Sequence, residues 1–483
     1  MTALPKLQPL TSPWMFKLIE DYALQEEIFN AHHSPVNVHH LPTFKKNVGD
    51  YKEILDGYGI KNQLFFARKA NKFKNLIPAA VEAGIGIDTA SFHELKQCLD
   101  LGIAADLLIS TAAIKNNELL NLAIKNGVTI IIDNRDELEQ TLNIAQQQNT
   151  TVKIGIRISG FMFNGEKLQS RFGFDIDDVE TVIHDFFASA KTTQTIQLTG
   201  FHFHLDGYST AQRGEALHQT LDLIERLRPQ GFDFSFVDIG GGILMNYLAE
   251  ATEWKNFQEI LKQAVLGDHV PITYNNDGLG FKNRNGEIEG KLNTYPYYNE
   301  NTKPHFLKAV LETENAAGKH VASRLKELDI QLRLEPGRSL LDQVGITMAR
   351  VAHRKVDAQG NNLVGLEMNM SQMKSSSADF LLDPFACFKN PDPDAEAVDV
   401  YFTGAYCLER DVLLKRKITL PQLPAIGDTI IFVNTAGYMM HFFETEAHLF
   451  KRAANVALST EKSSFTKEDF QSEDYVTPIP MYE

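Results

Sequence analysis

The sequence predicts an α/β fold, an eight-stranded (β/α)8 barrel followed by a mainly β domain, on three observations. Short strand-like runs alternate with helix-like stretches from about Gln63 to Arg338, the pattern of a parallel sheet with crossover helices. Eight such runs occur in that span, the number that closes a barrel. After Arg338 the periodicity changes to β-type runs with few helical signals.

The eight runs are Gln63–Ala67, Ile85–Asp88, Asp106–Ser110, Val128–Asp133, Val152–Ile158, Leu198–His204, Phe234–Ile239 and Gln331–Leu334. Between them, Ser91–Leu101, Asn116–Asn126 and Ala211–Leu227 repeat apolar residues at helical spacing with polar residues opposite. Ser91 fits an N-cap, and Glu94 three residues later completes a capping-box pattern. The connection from Gly242 to Gln331 is too long for one helix. Its stretch 275–301 is rich in Asn, Gly, Tyr and charge and carries Tyr295-Pro296-Tyr297-Tyr298, so it is either a lid beside the barrel mouth or an exposed excursion with no part in binding. Runs at Val364–Met368, Val398–Thr403 and Thr429–Val433 make the second domain. The expected division is a barrel over 45–338 with an insertion at about 250–325, and a β domain built from 1–44 and 339–483. Residues after about Thr460 read as polar and frayed.

Composition narrows the function classes. A chain of 483 residues, 43% hydrophobic and 23% charged, has the make-up of an ordinary globular protein with a large core. The net charge of −15 argues against nucleic acid or an anionic membrane as a main partner, while leaving room for a local phosphate site. Cys98, Cys387 and Cys407 are odd in number and far apart, which suggests neither a disulfide framework nor a zinc site and fits a reducing compartment. With no apolar span of about 20 residues and no leader pattern at the start, a cytoplasmic location is expected.

Lys69 follows the apolar run Leu64-Phe65-Phe66-Ala67, at the strand end where a barrel holds its reactive groups. Burial there would lower its proton affinity and free the amine to attack carbonyl compounds, the alternative being a lysine that simply reaches solvent. Asp238-Ile239-Gly240-Gly241-Gly242 ends a strand with three glycines, suited to a phosphate cradle or to an ordinary turn. Phe201-His202-Phe203-His204 puts two histidines on one strand face, a pair able to ligate a metal or to stack on a ring; without a suitably spaced third ligand no metal is predicted. Glu335-Pro336-Gly337-Arg338 closes the eighth run as either a loop ion pair or a site for a ring nitrogen. Cys407 alone reads as an inert buried thiol.

In combination these motifs are specific. The order Arg68-Lys69-Ala70-Asn71, Asp88, Ser91-Phe92-His93-Glu94-Leu95, Ser170-Arg171-Phe172-Gly173, His202-Phe203-His204, Gly240-Gly241-Gly242, Glu335-Pro336-Gly337-Arg338, Cys407 with Asp411, and Ala436-Gly437-Tyr438 resembles the fold-type III pyridoxal-phosphate enzymes that include diaminopimelate and ornithine decarboxylases. The resemblance covers about Gln63 to Phe450. It implies an alanine-racemase-like TIM barrel plus β domain, pyridoxal 5'-phosphate as cofactor, a small-molecule amino-acid substrate, and a homodimer with shared active sites. Carried over, Lys69 would bond the cofactor aldehyde and His204 would stack on its ring. Gly241, Gly242, Arg338 and Tyr438 would bind its phosphate, Gly337 would also belong to the cofactor site, Asp88 and Arg157 would line its pocket, and Glu335 would keep the pyridine nitrogen protonated. Cys407 would reach in from the partner chain as proton donor. Substrate contacts would come from Arg338, Asp383, Leu408 and Glu409.

Glu335 favours decarboxylation, because a cationic ring accepts the electrons of the breaking carbon–carbon bond. The related alanine racemases place arginine and tyrosine where this chain has Glu335 and Cys407. Two departures bear on the substrate. The family's Gly-Ser after the second histidine is Leu205-Asp206-Gly207-Tyr208 here, and the acidic residue that follows the cysteine in diaminopimelate decarboxylases is Leu408. Asp383 aligns with an arginine those enzymes direct at the far carboxylate. The expectation is therefore a decarboxylase of a larger or modified amino acid, such as an intermediate of siderophore or other specialised metabolism; diaminopimelate decarboxylase proper, an amino-acid racemase and a non-catalytic cofactor-binding homologue are the alternatives.

Overall fold

In the computed structural model, which describes residues 4–375 and 378–473, the eight expected runs form eight parallel strands that close on themselves. After β1 (Val36–His40) they are β2 (Asn62–Ala67), β3 (Gly86–Thr89), β4 (Leu108–Ser110), β5 (Thr129–Ile132), β6 (Val152–Ser159), β7 (Ile196–His202), β8 (Phe236–Asp238) and β9 (Gln331–Leu334). Each pairs with the next in chain order, and β9 returns to β2 with Leu334 beside Leu64, which makes a barrel. Its interior is packed. Phe65, Ile109, Ile131 and Phe236 form a buried cluster, and glycine faces the large rings: a Cβ at Gly86 would lie 2.6 Å from the Phe65 ring and one at Gly200 2.6 Å from the Phe236 ring. Large side chains from some strands thus occupy space left by glycine on others.

The three expected helices are present as Phe92–Asp100, Asn117–Asn126 and Thr210–Leu227. Ser91 Oγ caps the first by accepting from the Glu94 N–H at 3.2 Å, while Glu94 accepts from the N–H of Ala90. Such helices lay their apolar faces on the outside of the barrel and share one core with it.

The second domain is a sheet of nine strands. Its long strand β10 (Gly345–Val356) pairs with β1, with β11 (Asn362–Leu366) and with β15 (Thr429–Val433), which also takes β12 (Phe385–Cys387). Beyond β11 lie β13 (Val398–Thr403) and β14 (Val412–Leu420). On the other side β1 runs parallel to β16 (Ala454–Leu458), with Val38 beside Val456. Helices Pro13–Ile19 and Tyr22–His32, which have no clear sequence signal, bury Trp14, Met15, Leu18, Ile28 and Phe29 on this sheet.

The frayed reading after Thr460 is incorrect up to Glu473. β17 (Phe470–Ser472) pairs with β16, and Phe465 and Phe470 are buried in the sheet's core, two apolar anchors that suffice to hold an otherwise polar segment. Residues 474–483 lie outside the described residues. In the long connection, helix Ala251–Leu266 precedes an exposed hairpin, Lys282–Arg284 with Glu287–Glu289. The tyrosines that follow are not exposed: Tyr295 and Tyr297 belong to a core shared with Trp254, Phe257 and β-domain residues such as Leu366 and Phe432. Asp277 also pairs with Lys415 at 2.6 Å, so the connection is packed between barrel and β domain.

Candidate active site

The first turn after β2 carries Lys69, and its Nζ lies 3.3 Å from Asp88 Oδ2 at the end of β3. Asp88 is fully buried and its other oxygen accepts from Thr111 Oγ1 at 2.5 Å. Burial, then Glu335, push the Asp88 carboxyl up, against the opposing pull of Lys69. The expected loss of proton affinity at Lys69 is reversed. Burial does lower it, but Asp88 and Glu335 together outweigh burial and hold the ammonium above its ordinary range. The side chain keeps 37% of its exposure, through the barrel mouth.

Across the mouth, Arg157, His202 and Glu335 form a relay. Arg157, at the end of β6, donates from Nε to His202 Nδ1 at 3.1 Å, from one terminal nitrogen to Asp133 Oδ1 at 3.1 Å and from the other to the Thr111 carbonyl at 2.9 Å. An arginine never accepts, so His202 Nδ1 is the acceptor and its proton sits on Nε2, which donates to Glu335 Oε1 at 3.1 Å. Burial, then the Arg157 charge, hold His202 well below its ordinary range, as a neutral ring. Glu335 is 3% exposed, and among the described residues its second oxygen has no hydrogen-bond partner. Asp238 completes a buried trio with His202 and Glu335, their nearest ligand atoms within 4.8 Å of one another. One Asp238 oxygen accepts from the Gly240 N–H at 2.9 Å, and burial followed by Glu335 pushes this carboxyl well up. Arg157 and Glu335 use both His202 nitrogens, while the second Asp238 oxygen is buried without a partner.

The glycine turn after β8 admits no side chain. A Cβ would lie 2.7 Å from His204 Nδ1 at Gly240, 2.6 Å from the Glu335 carbonyl at Gly241 and 2.5 Å from an Arg213 nitrogen at Gly242, with φ positive at the first and third. His204 is exposed at the mouth, accepts from the Gly241 N–H at 3.4 Å, and is lowered by desolvation from the surrounding protein and by the Lys69 charge. Gly337 leaves room for Ala70 and the Tyr438 hydroxyl, 2.9 and 3.1 Å from the Cβ it lacks. Arg338 donates to Tyr247 Oη at 2.9 Å and to the Gly437 carbonyl at 3.1 Å, with its guanidinium 4.4 Å from the Tyr295 ring and 5.0 Å from that of Tyr438. Tyr438, at φ +70°, is tied by its N–H to the carbonyl of Ala70, next to Lys69. Sequence reasoning missed Thr111, Asp133, Arg213, Tyr247 and Tyr295; only the Tyr-rich insertion offered a signal, for Tyr295.

The remaining expected site residues lie in the β domain. Cys407 is exposed in the turn before β14, with Leu408 44% exposed and Glu409 also exposed. That turn bonds to its own domain: Asp411 accepts from the N–H groups of Met370 and Tyr406. Among the described residues no hydrogen bond or ion pair joins it to Lys69, His204 or Glu335 of the same chain. Asp383 pairs with Arg416 at 2.7 Å and accepts from the Leu7 N–H at 3.0 Å, holding the N-terminal segment against β14.

The residues present fit pyridoxal phosphate. Lys69 supplies an amine, Glu335 a buried carboxylate with one oxygen to spare, and the glycine turn with Arg338 a place where backbone N–H groups and a cation can meet a phosphate. Residues 41–275 match the family model described as pyridoxal-dependent decarboxylase, pyridoxal binding domain. The chain is 29% identical over 424 residues to an uncharacterized protein, y4yA, of Sinorhizobium fredii, covering 86% of each. It is 23% identical over 439 residues to a probable chloroplastic diaminopimelate decarboxylase of Oryza sativa subsp. japonica, covering 88% of this chain and 75% of that one. The crystal structure of Helicobacter pylori diaminopimelate decarboxylase complexed with L-lysine superposes with a TM-score of 0.66 at 19% identity, over 93% of this chain and 97% of that one, which shows the fold. In its barrel, its β domain and the match over residues 41–275, this chain is similar to the fold-type III pyridoxal-phosphate-dependent amino-acid decarboxylases, at low identity.

Proposed function

We propose that the substrate is an amino acid without a free ammonium at its far end, larger than or modified from the usual basic substrates, as specialised metabolism such as siderophore synthesis would supply. The observation that carries this is Leu408, an exposed apolar residue directly after Cys407 where a carboxylate would be needed to meet such an ammonium. Tyr208, 38% exposed and 5.7 Å from Tyr295, adds an aromatic surface suited to a bulkier side chain.

When bound, the cofactor supplies a cationic pyridine ring that draws electrons from the breaking Cα–carboxylate bond. Lys69 is placed to hold the cofactor and Glu335 to keep a proton on the ring nitrogen, oriented by the His202 N–H. His204 would cover the ring face, Gly241, Gly242, Arg338 and Tyr438 would hold the phosphate, and Gly337 would complete the cofactor site. Asp88 and Arg157 fix the pocket wall. Cys407 of the partner subunit would deliver a proton from Sγ to the carbon that has lost carbon dioxide, in a homodimer with two shared sites. Among the described residues no helix is long and apolar enough to cross a membrane, and we place the dimer in the cytoplasm.

A second reading, decarboxylation of diaminopimelate, is supported by the names of several relatives. Carbon dioxide release from a panel of neutral, acidic, basic and acylated amino acids decides between them. A kcat/KM for a substrate without the distal ammonium at least about tenfold above that for meso-diaminopimelate is expected. The highest kcat/KM on meso-diaminopimelate would sink the proposal.

A further inference from the structure

Arg213, on the first turn of helix Thr210–Leu227, is 1% exposed and forms no ion pair among the described residues. Its partners are carbonyl oxygens. One terminal nitrogen donates to Gly207 at 3.0 Å and to Leu205 and Gly241 at 3.4 Å, the other to Ser209 at 3.4 Å, and Nε is buried without a partner. Burial lowers its proton affinity to about 10, which leaves it charged at neutral pH. Phe306 covers the guanidinium at 5.4 Å and Asp206 acts on it through space without an ion pair, and a buried cation held by carbonyls is costly unless an anion completes the site. The guanidinium lies against the glycine turn, since the Cβ missing from Gly242 would be 2.5 Å from one of its nitrogens. It also fastens 205–209, the loop in which Leu205-Asp206-Gly207-Tyr208 replaces the family's serine-bearing turn.

We propose that Arg213 is the counter-charge of the cofactor's phosphate and the positioning residue that holds the 205–209 loop and the glycine turn in a phosphate-binding shape, in place of the missing serine hydroxyl. The proposal rests on the reading of the barrel mouth as a pyridoxal-phosphate site. Carbonyls that would otherwise face the phosphate are turned to Arg213; the N–H groups of Gly207, Gly240 and Gly241 are engaged by Asp206, Asp238 and His204, which leaves those of Tyr208, Ser209 and Gly242 to meet it. Gly207, at φ +86°, and Gly242, at φ +75°, allow the backbone to present oxygen to one side and nitrogen to the other. Arg338 alone would be one cation against a dianion; Arg213 supplies the second from within the fold.

The test is the affinity of the apo protein for pyridoxal 5'-phosphate and for pyridoxal, each followed by absorbance near about 420 nm. Arg213→Gln is expected to weaken pyridoxal 5'-phosphate at least about tenfold while changing pyridoxal less than about twofold, and Arg213→Lys to keep the preference for the phosphorylated form within about threefold of the parent. Equal weakening of both ligands would show a purely structural role, and unchanged affinity no role; either overturns the proposal. If the glutamine variant does not fold, the lysine variant decides by the same ratio, and collapse of its preference overturns the proposal. Failure of the parent to take up either ligand would instead remove the pyridoxal-phosphate reading.

Discussion

His202 donates its Nε2 proton to Glu335 Oε1 at 3.1 Å, and Arg157 fixes that direction by taking Nδ1 as acceptor. Glu335 therefore receives a neutral N–H donor, and the Lys69 ammonium acts on it only through space, without a hydrogen bond or ion pair. Glu335→Gln should lower kcat by about 10²-fold or more while cofactor absorbance is retained. His202→Leu should cost about 10-fold to 100-fold, the worth of a hydrogen bond to a charged group. Steady-state kinetics alongside absorbance titration checks both, and an unimpaired Glu335→Gln would refute the role given to the carboxylate.

Lys69 must be neutral to capture an aldehyde, yet Asp88 and Glu335 hold it protonated. Because its folded-state pKa is raised, the ammonium's stabilising contribution is complete below its ordinary value of 10.5 and is lost as pH rises through the raised value. Cofactor capture by the apo protein should accordingly speed up with rising pH without levelling off between pH ~7 and ~9. Asp88→Asn should make capture at pH ~8 faster, read by stopped-flow absorbance. Identical rates in the two proteins would mean that Asp88 does not control the amine.

His39 is fully buried between barrel and β domain, 4.1 Å from the Phe73 ring and 3.1 Å from the Asn71 amide. Burial lowers it to about 3. The unfolded chain takes the proton near pH ~6.5 and the folded one does not, so stability is intact above that pH and falls as pH drops towards 3, by about 1.4 kcal/mol per pH unit. Urea unfolding at pH ~7 and ~4.5 should show that decline, and His39→Gln should reduce it.

If Cys407 completes the partner's site, Lys69→Ala and Cys407→Ala chains, each poor in product formation, should regain activity when mixed and allowed to exchange. Random pairing leaves one intact site in half of the dimers, about one quarter of the parent activity. No recovery from verified heterodimers would place Cys407 outside the neighbouring site.

The barrel strands were legible because burial on both faces demands continuous apolar runs, as in Thr129–Ile132, and because Ser91 and the glycine turn mark their connections. Lys69, Asp88, Glu335 and Arg338 stand at strand ends, where sequence position alone implies convergence. Arg213 was not legible: on an amphipathic helix an arginine reads as surface, and only tertiary packing turns it inward. Tyr295 is remote in sequence from the Arg338 it covers, and no local pattern announces Arg416 as the partner of Asp383. Phe465 and Phe470 sit too sparsely among polar residues to read as a sheet edge.

Strand β1 lies between β10 and β16, so the sheet's middle is made near the start of the chain and its neighbour near the end. During synthesis the residues of β1 must wait, unpaired on that side, until the ribosome has delivered nearly everything else, while the barrel can close earlier. Maturation should therefore show a late, slow phase set by long-range pairing, and nascent chains halted before Ala454 should be the ones that chaperones retain.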